Sequence, residues 1–89
     1  MRRYIQRRGI VQSKIDDETV MMDAASGFYF GLNSVASVVW ELLKEARTLD
    51  QLVEKLMLEY AVSREQCIEE TTQLLQQMLA HEVIEFQED

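Results

Sequence analysis

An α+β domain, with three short strands followed by three helices, is the fold class this sequence predicts, and three observations predict it. Residues 10–32 come in short runs rich in β-branched and apolar residues, separated by turn-favouring pairs. Residues 34–81 switch to apolar spacings of three and four, the period of amphipathic helices. The chain of 89 residues is 47% hydrophobic with no proline and three glycines, which suits one folded domain with one core rather than a disordered segment.

The elements follow in order. IVQSKI (10–15) and ETVMMD (18–23) flank Asp16-Asp17 and read as a hairpin. A second turn signal over Ala24 to Gly27 leads into FYFGL (28–32), completing a three-stranded antiparallel meander with short connections. The first helix runs from Ser34 to Glu45, with Asn33 as N-cap and Val35, Val38, Val39, Leu42 and Leu43 recurring around Trp40. The second begins at Thr48, where Thr-Leu-Asp-Gln has the form of a capping box, and carries Leu49, Leu52, Val53, Leu56 and Met57. Ser63 to Gln66 repeats the device at the head of a third helix that ends near His81. VIEF (83–86) reads as a fourth strand at the far side of the sheet, and residues 1–8 as a basic extension ahead of one domain over 9–89. This order is that of a small winged helix-turn-helix-like domain.

The default activity of such a domain is DNA binding, and the charge pattern opposes it. Residues 1–14 hold five of the nine Lys/Arg and none of the sixteen acids, so the remainder, with four Lys/Arg, carries −12. The third helix sets Arg64 and His81 against Glu65, Glu69, Glu70 and Glu82, whereas phosphate contacts need cations in number. An acidic body favours a basic or neutral partner, or serves solubility alone, and both readings stand. The single cysteine, Cys67, forms no intramolecular disulfide, and neither a membrane span nor a secretory signal is present, so a cytoplasmic protein with no membrane partner is expected.

Turned at 100° per residue, Cys67, Ile68, Thr71, Leu74, Leu75, Met78 and Leu79 fall on one arc of roughly 140°, wider than the ~100° that seats a surface helix. Either the whole arc is core, or it divides. In the divided reading Ile68, Leu75 and Leu79 face the core, and Cys67, Thr71, Leu74 and Met78, bordered by Glu70, line a groove. The strand FYFGL supplies the neighbour such a groove needs. Phe28, Phe30 and Leu32 point to one face and Tyr29 to the other, so Tyr29 is surplus to a one-sided core, and Gly31 allows close backbone approach. At a sheet edge this strand can accept an extended peptide as an added strand.

Chemistry of other kinds has little support. Cys67 and His81 lie on one helix about 21 Å apart at 1.5 Å per residue, too far for a nucleophile and its base. There is no second His or Cys to complete a metal site, and the paired acids Asp16-Asp17 and Glu69-Glu70 belong to a generally acidic surface. No catalytic residue, metal ligand or cofactor site is assigned, and the chain is read as not an enzyme.

Three segments, DDETVMMDAASGFYFGLNSVASVVWELL (16–43), ARTLDQLVEKLMLEY (46–60) and LLQQMLAHEVIE (74–85), carry a further resemblance. Their strand-Leu-Asn-helix-Trp run, Thr-Leu-x-x-Leu helix and Leu-rich last helix resemble the PqqD-like peptide chaperones, or RiPP precursor recognition elements, over residues 11–86. The resemblance implies a winged-helix-like protein that binds the leader segment of a ribosomally made precursor peptide, pairing it antiparallel to the third strand against the third helix. It places Phe28, Tyr29, Phe30 and Gly31 on the strand side and Glu70, Thr71, Leu74 and Met78, with Cys67, on the helix side. MDAASGFYFGLN lacks the Pro-Glu segment usual in the pyrroloquinoline quinone protein, so the chain looks more like the standalone proteins of lasso-peptide pathways. Those imply a leader peptidase and a macrolactam synthetase as partners. Glu82 stands where the family often has Gly, and Thr71 where an aliphatic is common. The alternatives are a chaperone for a radical SAM peptide-modifying enzyme, a winged-helix transcriptional regulator, and a small oligomerising subunit.

Overall fold

Alternation along ETVMMD sends Thr19 and Met21 to one face and Val20 and Met22 to the other. The first pair is fully buried and the second half-buried. The computed structural model describes residues 2–16, 18–23, 27 and 29–88, with backbone alone for Ile15, Asp23, Tyr29, Phe30 and Glu88. Its elements are β1 (Arg2–Gln6), β2 (Ile10–Ile15), β3 (Glu18–Asp23), β4 (Tyr29–Leu32), α1 (Ser34–Leu42), α2 (Leu49–Glu59), α3 (Arg64–Ala80) and β5 (Ile84–Glu88). The fold is α+β, with a three-stranded antiparallel sheet in the order β2-β3-β4 followed by three helices.

The register across the meander aligns Val11, Met22 and Tyr29 in one row and Ser13, Val20 and Gly31 in the next. Asp16 closes the β2–β3 hairpin at φ 57°, a left-handed conformation that Asp tolerates better than most residues. Asp17, Ala24, Ala25, Ser26 and Phe28 lie outside the described residues, and with them part of both expected turns and the first residue of the expected third strand.

Two elements depart from the sequence reading. Residues 2–6, read there as part of a basic extension, form a strand, and the C-terminal segment pairs with it rather than joining the meander. Tyr4 packs on the core and its ring lies 5.2 Å from Phe86, over which the Arg2 guanidinium sits at 4.4 Å. The outer edge of β1 is closed by the α1–α2 connection. Tyr4 N–H donates to the Arg47 carbonyl (2.8 Å), Arg47 N–H returns to Tyr4 (3.0 Å), and Gln6 N–H donates to the Leu43 carbonyl (2.9 Å). Arginines masked this strand in the sequence, because their apolar stems cover a core margin without registering as apolar letters.

Capping follows the sequence closely. Asn33 Oδ1 accepts from Ala36 N–H, Thr48 and Gln51 form the reciprocal box, and Ser63 accepts from Gln66 N–H. Helix α1 stops at Leu42 rather than Glu45, and Arg47 Nε donates to the Leu42 carbonyl (2.7 Å), satisfying a terminal acceptor. Helix α3 ends in a Schellman motif. Glu82 N–H donates to Leu79 (3.0 Å) and Val83 N–H to Met78 (3.1 Å), with Glu82 left-handed at φ 59°. Arg7 fastens β1 to this turn by donating to the Glu82 carbonyl (2.9 Å).

The core lies between the buried face of the meander and the helices, centred on Trp40, Met21, Leu43, Leu52, Leu75 and Met78. Trp40 buries its ring and satisfies its indole N–H on Gln12 Oε1, and the same glutamine donates to Glu41 (3.1 Å).

Candidate functional site

Sheet order makes β4 an edge strand, with β3 as its one strand neighbour among the described residues. Which of its backbone groups face outward follows from Ser37 of α1. Thr19 N–H donates to Ser37 Oγ (3.2 Å), and the Ser37 hydroxyl is 3.5 Å from the Leu32 carbonyl it donates to. Both of those main-chain groups are therefore turned into the gap between β3 and β4. Antiparallel pairing alternates the direction of successive residues, so the N–H and C=O of Gly31 are turned to the open edge, and those of Tyr29 with them.

Helix α1 covers one face of the meander, where Thr19, Met21 and Leu32 are buried. The opposite face is bare among the described residues. Val20 and Met22 are half-buried there, Val11 is 51% exposed, and Gly31 is exposed.

Past the end of β4 a cleft of about 380 Å³ opens between the three helices. Asn33, Val35, Ala36 and Val39 of the α1 end form one wall, Leu56, Tyr60 and Val62 at the end of α2 another, and Gln66, Cys67, Glu70, Thr71 and Leu74 of α3 the third. The lining is mostly apolar, and Glu70 is the one ionic group among its described residues. Cys67 and Thr71 are buried on its α3 side, with Sγ 3.9 Å from Oγ1. Leu74 is half-buried on the same wall, while Glu70 is exposed at the rim.

A larger hollow of about 670 Å³ along the other side of α1 is a weaker candidate, because four of its charged groups pair with one another. Lys44 pairs with Glu41 at 2.7 Å and Arg47 with Glu45 at 3.0 Å. The Lys44 hydrogen bond, with a smaller contribution from Gln12, holds the Glu41 carboxyl below its ordinary range.

The structure thus brings Cys67, Glu70, Thr71 and Leu74 to one cleft and sets Gly31 on the edge strand leading to it. Phe28 lies outside the described residues, and Tyr29 and Phe30 are placed by backbone register, opposite Met22 and Met21. Met78 lies elsewhere. It is 0% exposed in the core, and the buried line of α3 runs Cys67–Thr71–Leu75–Met78, with Ile68 and Leu79 half-buried on its flank. Of the divided arc expected from sequence, Cys67, Thr71 and Leu74 line the cleft and Ile68, Leu75 and Leu79 pack on the core, while Met78 is core rather than cleft lining. The walls from α1 and α2 were missed, because Val35, Val39 and Leu56 show the same helical spacing whether they face core or cleft. Of these Val35, at 42% exposure, is the position that core spacing misassigned.

Among the described residues no group of three or more His, Cys, Asp and Glu is placed to hold a metal ion, and no helix is long and apolar enough to cross a membrane.

Residues 18–84 match the family model described as Coenzyme PQQ synthesis protein D (PqqD). No curated protein matches the sequence. Among solved structures, TbiB1 in complex with the TbiA(beta) leader peptide is 30% identical, covers 96% of this chain and 99% of its own, and superposes with a TM-score of 0.84. A lasso peptide synthetase B1 complexed with its leader peptide is 22% identical over 92% of this chain and 96% of its own, at a TM-score of 0.81, and that likeness is one of fold. The family match runs from the first residue of β3 through the helices to the first residue of β5, about three-quarters of the sequence, and the chain belongs to the PqqD family.

Proposed function

We propose that this protein is a non-catalytic binder of the leader segment of a ribosomally made precursor peptide. The leader adds to β4 as an antiparallel strand, runs beside α3, and seats an apolar side chain in the cleft. The observation that carries the reading is the continuity of an open sheet edge with a mostly apolar cleft, in a chain 30% identical to a protein solved with a leader peptide. Backbone groups of Gly31 and Tyr29 supply pairing that any extended peptide can use, and the cleft supplies selection. The binder presents its cargo in the cytoplasm to separate maturation enzymes, a leader peptidase and a macrolactam synthetase of a lasso-peptide pathway. DNA binding is disfavoured by α3, whose exposed Glu65, Glu69 and Glu70 outnumber Arg64, itself 3.9 Å from Asp50.

The test looks for a short precursor reading frame beside the gene and uses a fluorescein-labelled synthetic peptide spanning the leader it encodes. A Kd of about 1 μM or tighter is expected, near 8 kcal/mol. Leu74→Asp places a charge on the half-buried cleft wall and is expected to weaken binding at least tenfold, with circular dichroism unchanged. Amide exchange in residues 29–32 is expected to slow under saturating peptide, as outward N–H groups gain partners. Unprotected amides there, or a Leu74→Asp variant that binds like wild type, would rule the groove out.

A further inference from the structure

Nothing in the free fold requires Gly31 to be glycine. The glycines with positive φ are Gly9 and Gly27, so Gly31 adopts no left-handed conformation. A Cβ added there meets no atom within 4 Å among the described residues, so no neighbouring group presses on the strand. Glycine inside a strand costs chain entropy on folding, and nearly any β-former would hold a four-residue strand better. Yet this glycine is exposed, lies level with half-buried Val20 on the bare face, and turns its N–H and C=O to the open edge. Glycine at such a place in a strand marks where another chain comes close.

We infer that Gly31 is a specificity-determining position: the leader residue paired with it is long and apolar, and its side chain lies across the missing Cβ onto Val20. The inference rests on the leader-binding reading above and gives the chemical class of one leader residue. A residue that exchanges both hydrogen bonds with Gly31 stands directly opposite it, with its side chain on the same bare face. Val20 lies one strand further in, so leader and Val20 backbones are separated by two strand spacings, about 10 Å. Leu, Met, Phe or Tyr reaches Val20 across that span when position 31 carries no side chain. A small residue leaves Val20 and the Gly31 backbone wet, and a charged residue places its head over the aliphatic face of Val20 and Met22. A large side chain covering a glycine on the neighbouring strand is a recognised way to stabilise a sheet edge.

Gly31→Val and Gly31→Ala test this with the labelled leader peptide and with a set of single-alanine versions of it. Both variants are expected to melt at or above the wild-type temperature, since a new Cβ meets no described atom within 4 Å and the position needs no positive φ. Gly31→Val is expected to bind the unaltered peptide at least tenfold more weakly, with Gly31→Ala between. One alanine version, at the residue opposite Gly31, is expected to weaken binding to the wild-type protein several-fold and to cause no further loss in Gly31→Val. Gly31→Val binding like wild type while Leu74→Asp loses the peptide would overturn the role of Gly31 and leave the groove standing. Both variants binding like wild type, or a wild-type protein that does not bind, would overturn the groove and Gly31 together. A Gly31→Val that melts lower and loses affinity for every peptide alike would assign the glycine to folding and also refute the inference.

Discussion

Glu82→Gly should make this protein more stable, and the size of the gain follows from the end of α3. Glu82 is the left-handed residue of the Schellman motif, at φ 59°, where an L side chain costs about 1–2 kcal/mol relative to the right-handed form. Glycine removes that strain but brings its own unfolded-state entropy, about 0.5–1 kcal/mol, so the net gain is about 0.5–1 kcal/mol. The bonds of the motif survive the change, because Glu82 and Val83 donate through main-chain N–H groups and Arg7 donates to the Glu82 carbonyl. The packing of Met78 beneath Val83 is untouched, both being fully or almost fully buried. For a domain of this size each kcal/mol moves the midpoint by about 4–8 °C, so a rise of about 2–8 °C in Tm is expected by circular dichroism or calorimetry. Leader affinity should not change, since Glu82 lines neither the cleft nor the edge strand. A Tm equal to or below wild type would show that the Glu82 side chain makes a compensating interaction and that the strain argument is wrong.

Two further expectations concern the fold. Deleting residues 1–8 removes β1, uncovers β5 and strips the Arg47 and Leu43 carbonyls of their partners; a Tm loss well above 5 °C is expected, and an unchanged melt would reduce β1 to an accessory ribbon. Thr19→Val replaces a fully buried hydroxyl that has no hydrogen-bond partner among the described residues by a methyl of similar shape, in a strand that favours β-branched residues. An unsatisfied buried polar group costs about 1–3 kcal/mol, so urea denaturation should show a gain of about 1 kcal/mol, and a loss would mean that the hydroxyl has a partner in solution.

What could be read in advance sorts by the range of the interaction. Asn33, Thr48 and Ser63 were legible as caps because an N-cap and its amide lie within three residues and obey fixed chemistry. The meander was legible because its turns are short and its buried face follows a period of two. Strand β1 was not, since its partner lies at the other end of the chain and Tyr4 and Ile5 are its only two apolar residues. The same limit governed the site. Thr71 and Leu74, with Glu70 at their border, could be nominated from an arc wider than a surface helix needs, and Gly31 from the close backbone approach that glycine allows on an edge strand. Met78 could not be sorted from Leu74, because the two sit four residues apart on one arc and only the position of α2 and β5 decides which is covered.

In the proposed mode of leader binding, the short length of β4 decides where selectivity lies. Its four residues turn outward the main-chain groups of Tyr29 and Gly31, which allow about four hydrogen bonds to an added strand. At about 1 kcal/mol net each they contribute some 4 kcal/mol, and ordering a disordered leader removes about 2–5. Backbone pairing therefore fixes the direction and register of the leader while contributing almost nothing to net affinity. Affinity has to come from side chains that bury apolar area, each worth about 1.5–3 kcal/mol when fully covered. The molecule offers two such places on opposite sides of the added strand, the cleft beyond Asn33 and the shelf of Val20 and Met22 beside Gly31. A strand with alternating side chains reaches both only if its anchors differ in parity along the leader. Two apolar leader residues separated by an odd number of positions are therefore the expected signature of the cargo, and alanine scanning that finds both anchors at even separation would place them on one face and contradict this division.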